Sequence, residues 1–238
     1  MKQIYFTIMF AFVAVSAFSQ RGDWRDRRDP SLAVGLQLSE PKGEFANNID
    51  GLPFGVAGNF TAPVANSPFE FGVGFAWNSM AARNEDVAII AGQDAQGNDV
   101  FEEAEMRIRS NNYRYQAVAR FRPFVRRIQI YGDLIAGVER FTTSTDIQIN
   151  SNGYSEVTDA NTVERDFGWT LGWAAGARVR LSNTFFLDAR FEKLEGGVAT
   201  YVNPDSIEVD AFDNTLNYTT NESRTDKFTY QLGIAVHF

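Results

Sequence analysis

Apolar and polar side chains alternate along eight separate segments of this chain. Alternation at period two is typical of β-strands that present one face to an apolar and the other to a polar environment. In the third segment, Phe69, Phe71 and Val73 share one face, and Glu70 and Gly72 share the other. The pattern predicts eight antiparallel strands, in segments 31–39, 53–64, 69–78, 113–122, 128–139, 167–180, 185–192 and 228–238.

The polar faces of these segments distinguish two architectures that share the alternation. A water-soluble β-sandwich packs its apolar faces together and turns its polar faces to solvent, where Lys, Thr and Glu are expected. Here the polar faces carry Gly, Ala and Asn together with Arg and Asp. This composition suits the narrow, enclosed lumen of a small barrel and favours a barrel over a sandwich.

The connections between the segments alternate in length. The links after the second, fourth and sixth segments are tight, whereas the others run from a dozen to some thirty residues. A transmembrane barrel has this arrangement because its periplasmic turns are short and its external loops are long. The connection lengths therefore favour a membrane barrel with its N-terminus in the periplasm.

Aromatic residues gather at both ends of the apolar faces. Two aromatic girdles around an apolar band mark the two lipid interfaces of a membrane barrel, and spans of about ten residues match tilted strands. We therefore predict an all-β fold, an eight-stranded antiparallel up-and-down transmembrane β-barrel with short periplasmic turns and long extracellular hairpins. The girdle residues are Phe60, Phe69, Phe121, Phe185 and Phe238 at the periplasmic ends, and Trp77, Tyr113, Phe167, Trp169 and Phe228 at the outer ends.

The N-terminus has the layout of a secretory signal peptide. Lys2 precedes an apolar run from Ile4 to Phe18, which ends in the small-residue pattern Ala17-Phe18-Ser19. As a membrane anchor this run is too short, because a spanning helix needs about 20 residues. We expect a signal peptide over residues 1–19, a periplasmic arm over 20–30 and the barrel over 31–238. Without any cysteine, lipoprotein anchoring and disulfides are excluded.

Charge narrows the range of partners. The chain has 30 acidic and 22 basic residues and a net charge of −8. Nucleic acid is not an expected partner, because binding to phosphates requires a basic surface. Beyond the signal, no apolar run is long enough for a spanning helix, so a helical membrane protein is not expected.

The C-terminal segment carries a more specific resemblance. Gln231, Gly233, Val236 and the terminal Phe238 follow the pattern of a polar residue, a glycine and alternate hydrophobic positions before a terminal aromatic. This resembles the β-signal of the small outer-membrane β-barrel superfamily, of the OmpA transmembrane-domain and OmpX type. The resemblance implies a location in the bacterial outer membrane and recognition by the barrel-assembly machinery. Unlike full-length OmpA-type proteins, the chain shows no peptidoglycan-binding domain after the barrel.

Charged residues on the polar faces are candidates for ion pairs inside the barrel. If the sixth and seventh strands pair about Asn183, Arg178 lies opposite Asp188, with Arg190 and Glu192 close by. On the fourth and fifth strands, Arg120 and Asp133 can meet in the same way. Charges enclosed in a barrel must be paired, so we interpret them as a structural plug rather than as an ion-conducting path.

Acidic residues dominate the predicted external hairpins. Such a surface can bind divalent cations, bridge through them to lipopolysaccharide, or meet a basic partner such as another envelope protein. The simpler interpretation is that acidic loops only keep the surface soluble. The candidate surface residues are Asp94, Asp99, Glu102, Glu103, Asp205, Asp210 and Asp213.

The sequence provides no convincing catalytic site, cofactor site or metal site. The chain's single histidine, His237, is predicted at the periplasmic rim, where it cannot activate a nucleophile at the external face. We therefore predict a non-enzymatic barrel that acts through its extracellular loops as a binding, adhesion or envelope-stabilising surface. A narrow ion or small-solute channel is the alternative, and an outer-membrane hydrolase is the third hypothesis.

Overall fold

The computed structural model describes residues 29–49, 51–64, 67–93, 96, 99–151, 154–203, 206–210 and 215–238. The predicted signal peptide lies outside the described residues. Of the predicted periplasmic arm, only Asp29 and Pro30 lie within them.

Eight strands form a closed antiparallel barrel, which confirms the predicted fold class. Around the cylinder they follow the order β1, β12, β7, β6, β5, β4, β3 and β2, so each strand is hydrogen-bonded to two neighbours. The barrel strands are β1 (Ser31–Pro41), β2 (Phe54–Pro63), β3 (Phe69–Gln93), β4 (Asp99–Phe121), β5 (Ile128–Ser151), β6 (Tyr154–Arg180), β7 (Phe185–Gly196) and β12 (Lys227–His237). Between β7 and β12 lie β8 (Val198–Val202), β9 (Glu208–Asp210), β10 (Thr215–Asn217) and β11 (Thr220–Arg224), and helix α1 (Glu44–Asn47) follows β1.

The barrel closes where β1 pairs with β12. The pairing runs from Ser31 opposite His237 to Pro41 opposite Lys227, without a register shift. At its centre Gly35 lies opposite Gly233, and a Cβ added to Gly233 would stand 2.2 Å from the Val34 carbonyl oxygen. Glycine is therefore required at this position because the two backbones approach too closely for a side chain.

Burial in the barrel is the reverse of that in a water-soluble protein. The outward faces are apolar: Leu134 is 69% exposed and Leu232 is 59% exposed. The inward faces hold charged side chains, and Arg178 and Glu70 are both fully buried. Such an apolar band around a polar interior is stable only when lipid surrounds it.

Short connections close the barrel at one end. The link between β2 and β3 is held by a hydrogen bond from the Val64 N–H to the Phe69 carbonyl, at 3.0 Å. Between β6 and β7, the Leu181 N–H donates to the Phe185 carbonyl at 2.9 Å. We call this the short-turn end of the barrel, and the opposite end is its long-strand end.

Four strands continue beyond the barrel at the long-strand end. β2 pairs with β3 only as far as Ser79, and β7 pairs with β6 only as far as Thr170, yet β3 to β6 remain paired with one another beyond these points. We call residues 81–93, 99–110, 142–151 and 154–169, together with α1 and β8 to β11, the distal extension. The sequence pattern placed most of this part in the long connections between the predicted strands.

Small apolar clusters hold the distal extension together and join it to the end of the barrel. Phe45 of α1 packs with Met80, Phe141, Ala199 and Tyr201. A second cluster joins β4 to the segment after β8 and contains Met106, Ile108, Val202 and Ile207. The ribbon of β8 and β11 is attached to β6 by a hydrogen bond from the Gly197 N–H to the Trp169 carbonyl. The distal extension is therefore a packed structure rather than a set of independent loops.

Among the described residues, no helix has the length and apolar character that a membrane crossing would require.

Candidate functional site

A chain of alternating charges runs through the middle of the lumen. Arg114 lies 2.5 Å from Glu192, and the other oxygen of Glu192 accepts a hydrogen bond from Arg190 Nε at 2.8 Å. Arg190 in turn lies 2.6 Å from Asp133, which also binds Arg120 through two oxygens at 2.8 and 2.9 Å. All five side chains are buried, so each charge meets an opposite charge inside the protein rather than solvent.

The ring of Tyr131 joins this chain to the charges nearer the short-turn end. The Arg120 guanidinium lies 3.9 Å from the ring centroid and that of Arg178 lies 5.1 Å from it, as cation–π contacts do. The Tyr131 hydroxyl donates to Asp188 at 2.8 Å. Gly176 makes room for the ring, because a Cβ at this position would stand 2.2 Å from it.

A second group of ion pairs fills the short-turn end of the lumen. Arg122 lies 2.5 Å from Glu70, which also accepts a hydrogen bond from Thr61 at 2.9 Å. Arg178 lies 3.4 Å from Asp188 and donates to the Ser31 hydroxyl at 2.9 Å. The two arginines therefore come from different strands but are both held by carboxylates within the lumen.

His237 stands beside this second group. Its ring stacks on Phe186 with a centroid distance of 4.3 Å, and its Nε2 lies 3.4 Å from Arg122 and 3.3 Å from Arg178. The histidine is thus packed against cations at the short-turn end. His237 therefore lies at the rim of the barrel, as the sequence predicted.

At the long-strand end, a third group covers the lumen. Lys227 donates to Glu139 at 2.7 Å and to Asn112 at 3.2 Å, and all three side chains are buried. A cavity beside them, also lined by Ser39 and Asn78, has a volume of only about 10 Å³. That is about the space of one water molecule.

The predicted lumen residues all lie within these groups. Arg178 stands directly opposite Asp188 in the β6–β7 register, and Arg120 stands opposite Asp133 in the β4–β5 register. The remaining partners were not identified from the sequence: Lys227 lay outside the predicted strands, and the others lay on polar faces without an assigned partner. These unpredicted partners are Glu70, Arg114, Arg122, Tyr131, Glu139 and Lys227.

The four residues of the predicted assembly signal lie on β12 or directly after it. Gln231 faces the lumen and donates to the Ala57 carbonyl at 3.2 Å. Gly233 lies at the close approach to β1, and Val236 is half-buried opposite Leu32. The Phe238 N–H donates to the Pro30 carbonyl at 3.1 Å. These residues therefore have structural roles at the closing pair of strands.

The predicted acidic surface is described only in part. Asp94, Asp205 and Asp213 lie outside the described residues. Asp99 and Glu102 lie on β4 and Asp210 lies on β9, and their side chains are outside the described part of the structure. Glu103 is exposed on β4, opposite Ala88 of β3.

A neighbouring carboxylate of the distal extension is held by a cation. Glu105 accepts hydrogen bonds from Arg107 at 3.1 and 3.2 Å and from Asn84 at 2.9 Å. The hydrogen bonds from Arg107 hold the pKa of Glu105 below its usual value. Within the ranges that the structure describes, no three His, Asp or Glu side chains come together as metal ligands would.

Comparison with known proteins identifies the family. Residues 7–238 match the model of the outer membrane protein beta-barrel domain. The chain belongs to this family. It is therefore an outer-membrane β-barrel protein, and by the rule for such barrels the short-turn end faces the periplasm and the distal extension lies outside the cell. None of the curated proteins matches the chain.

Solved structures of small outer-membrane barrels are similar to this chain at low identity. Ail, the attachment invasion locus protein of Yersinia pestis, is 15% identical with a TM-score of 0.44, over 88% of this chain and 98% of Ail. Neisserial surface protein A is 10% identical with a TM-score of 0.41, over 88% of this chain and 97% of its own. A major outer membrane protein of Thermus thermophilus is 11% identical with a TM-score of 0.45, over 89% of this chain and all of its own.

Proposed function

We propose that the barrel is a closed membrane anchor and that the protein acts through its distal extension as a binding, adhesion or envelope-stabilising surface. The observation that carries this proposal is that β3 to β6 continue as a paired sheet beyond the barrel. The segment of β3 from Ala81 to Gln93 alone corresponds to roughly 40 Å of extended strand. A packed surface of this size outside the cell is the part of the molecule that a partner would meet.

The lumen supports an anchor rather than a pore. Three groups of buried ion pairs follow one another along its length, and each group crosses from one strand to another. An eight-stranded barrel is just wide enough for its side chains to fill it. Opening an ion path would require these pairs to separate inside a low-dielectric interior, which is costly. We therefore do not propose that ions pass through this lumen.

We also propose that the protein is not an enzyme. A hydrolase acting at the cell surface needs a base near the external face to activate a serine or a water. His237 instead lies at the periplasmic end, stacked on Phe186 and beside two arginines. Because the external surface carries acidic residues, we propose that its partner is lipopolysaccharide, bridged by divalent cations, or another envelope protein.

The test separates the anchor from the surface. In one variant β3 and β4 are rejoined by a short turn between Ala82 and Arg109, which removes the hairpin but keeps the barrel register of Ser79 and Asn111. We expect this variant to fold, as shown by its heat-dependent shift on electrophoresis. We also expect it to lose retention of lipopolysaccharide or of an envelope partner, measured by co-purification with and without a chelator.

Three results would contradict the proposal. Steady, ion-selective current steps from the purified protein in planar bilayers would favour the channel. Unchanged co-purification and unchanged cell adherence after trimming all four hairpins would show that the external surface is not the functional part. Hydrolysis of lipid or peptide substrates by the purified protein would favour an enzyme.

A further inference from the structure

A cavity of about 550 Å³ opens in the distal extension, just above the barrel. It lies between the C-terminal end of α1, strands β3 and β4, and the ribbon of β8 and β11. Its volume falls within the roughly 300–1,000 Å³ that small-molecule sites occupy. The lining residues are Asn47, Asn48, Ile49, Met80, Ala81, Ala82, Arg83, Ser110, Tyr201, Val202, Asn203 and Asn221.

Carboxamide side chains dominate the polar part of this lining. Asn47 and Asn48 come from the end of α1, Asn203 follows β8, and Asn221 lies on β11. Each carboxamide offers both hydrogen-bond donors and an acceptor. A hydroxyl also donates and accepts, so carboxamides that line a cavity are complementary to a ligand that carries several hydroxyl groups.

The apolar part of the lining forms one side of the cavity. Met80 and Tyr201 belong to the packed cluster around Phe45, and Ile49 packs against that cluster. Binding sites commonly combine such an apolar wall with a small number of placed polar groups. A sugar ring has the same division, because its C–H face is apolar and its edge carries hydroxyls.

The charge of the lining argues for a neutral ligand. Arg83 is the charged residue among the lining side chains, and it is paired with Glu85 on the same strand. An anionic ligand would have to compete with that carboxylate. A lipid chain would displace water from the carboxamides of Asn47 and Asn221 without replacing its hydrogen bonds, which is unfavourable.

Hydrogen bonds hold the walls of the cavity in place. Asn48 Nδ2 donates to the Tyr201 hydroxyl at 2.9 Å, and that hydroxyl lies 2.8 Å from the Ser223 hydroxyl. The hydroxyl of Ser110, which lies on β4, is 3.2 Å from the Thr143 hydroxyl. A ligand would therefore meet a preformed site, which reduces the entropy lost on binding.

We propose that this cavity binds a neutral saccharide of one or two sugar units. The proposal deepens the proposed function and rests on it, since it assigns a ligand class to the external surface. The carboxamides of Asn47 and Asn221 bind the hydroxyl edge of the sugar, and Met80 and Ile49 contact its C–H face.

Saccharide titration tests the proposal directly. Full-length protein is prepared in a detergent without a sugar headgroup, because a maltoside or glucoside would compete for the cavity. Lactose, maltose, cellobiose and diacetylchitobiose are each titrated by calorimetry and by NMR. We expect at least one of them to bind saturably. The Asn47→Ala and Asn221→Ala variants are each expected to weaken binding about fivefold, as loss of a hydrogen bond does.

Matched controls stand next to these positions. Glu44→Ala lies on the same helix as Asn47, and Thr220→Ala precedes Asn221 on β11; both residues are exposed and outside the lining, so binding should not change. Ala82→Trp places a large ring in the cavity and should abolish binding. A heat-dependent electrophoretic shift shows that each variant is folded.

Three outcomes would overturn the proposal. They are no binding of any of the four disaccharides, binding that Ala82→Trp leaves intact, and binding that Asn47→Ala and Asn221→Ala both leave unchanged. The experiments distinguish failure of the saccharide-binding proposal from failure of the proposed function. If no saccharide binds but trimming the hairpins still abolishes partner retention, the cavity proposal alone is wrong. If saccharides bind but trimming changes nothing in cells, the proposed function is wrong and the cavity remains a binding site.

Discussion

Replacing Glu192 with Gln is expected to be among the most destabilising single changes in the lumen. Glu192 binds Arg114 at 2.5 Å, Arg190 at 2.8 Å and the Thr229 hydroxyl at 2.7 Å. Arg190 keeps Asp133 after the change, at 2.6 Å. Arg114 loses the carboxylate that balances it, and its side chain is 1% exposed.

The expected loss follows from the burial of Arg114. Leaving one partner of a buried ion pair uncompensated costs about 3–5 kcal/mol. At a urea m-value of about 3 kcal/mol/M, the unfolding midpoint should fall by roughly 1–2 M. The assay is reversible urea unfolding in phospholipid vesicles, followed by tryptophan fluorescence and by the electrophoretic shift.

Glu195→Gln on the same strand is the matched control. Glu195 pairs with Lys193 at 3.5 Å, but their side chains are 57% and 45% exposed. Exposed pairs contribute about 0–1 kcal/mol, so the control should barely move the midpoint. Replacing Arg114 and Glu192 together by Met should recover much of the loss, because it removes both buried charges.

A single result would refute this reasoning. If Glu192→Gln cost no more than Glu195→Gln, the lumen charges would have to be solvated by water rather than by one another. The interpretation of the lumen as a closed, side-chain-filled interior would then be wrong, and a water-filled path would replace it.

Three further predictions concern the pairing of β1 with β12, the outward face of the barrel and the distal extension. Gly233→Ala should reduce the folded fraction strongly, whereas Gly132→Ala should be tolerated, because the nearest atom to a Cβ at Gly132 is 3.8 Å away; the electrophoretic shift measures both. In a variant whose only tryptophan is Trp173, which is 45% exposed on the outward face, brominated lipids should quench fluorescence strongly. At a pH just below the usual pKa of a glutamate, Glu105 should still be ionised. Arg107→Gln removes the hydrogen bonds that lower the pKa of Glu105, so this pKa should rise in the variant, as carboxyl NMR shifts would show. Since its folded pKa is lowered, any stabilisation from this pair is present above the unfolded pKa and is lost as pH falls through the folded one.

Each of these predictions can fail clearly. Equal folding of the two alanine variants would mean that the β1 and β12 backbones are not closely apposed. Quenching of Trp173 no stronger than that of a lone tryptophan introduced by Phe186→Trp, a lumen position, would place Trp173 away from lipid. A Glu105 titration that Arg107→Gln leaves unchanged would exclude the observed pairing in solution.

The sequence was sufficient to predict the barrel because the membrane imposes a strict pattern on its strands. One face must be apolar to meet lipid, so alternation marks each spanning segment. Tight turns then fix the register of neighbouring strands, which is why Arg178 could be placed opposite Asp188 and Arg120 opposite Asp133.

Contacts across the lumen could not be predicted in this way. Arg114 and Glu192 are 78 residues apart, and Glu139 and Lys227 are 88 residues apart. No turn relates the members of either pair, and their meeting depends on how far the strands are staggered around the closed barrel. The alternation shows only that these side chains face inward.

The sequence predicted too few strands in the distal extension, and the physical reason is different. Beyond the membrane, a strand has no lipid face, so its sequence need not alternate. β5 from Thr142 to Ser151 and the first half of β6 carry polar residues on both faces and were therefore assigned to loops. The same lack of pattern hid the ribbon of β8 and β11, and with it the cavity that the ribbon helps to enclose.

The pairing of the first and last barrel strands has a consequence for biogenesis. Every backbone N–H and C=O within the hydrocarbon layer must find a partner in the protein. Until β12 is in place, β1 and β7 each present an unpaired edge, and these edges are about ten residues long. A nascent polypeptide that stops short of β12 therefore has no stable way to reside in the bilayer, and its exposed edges would make it a substrate for envelope proteases.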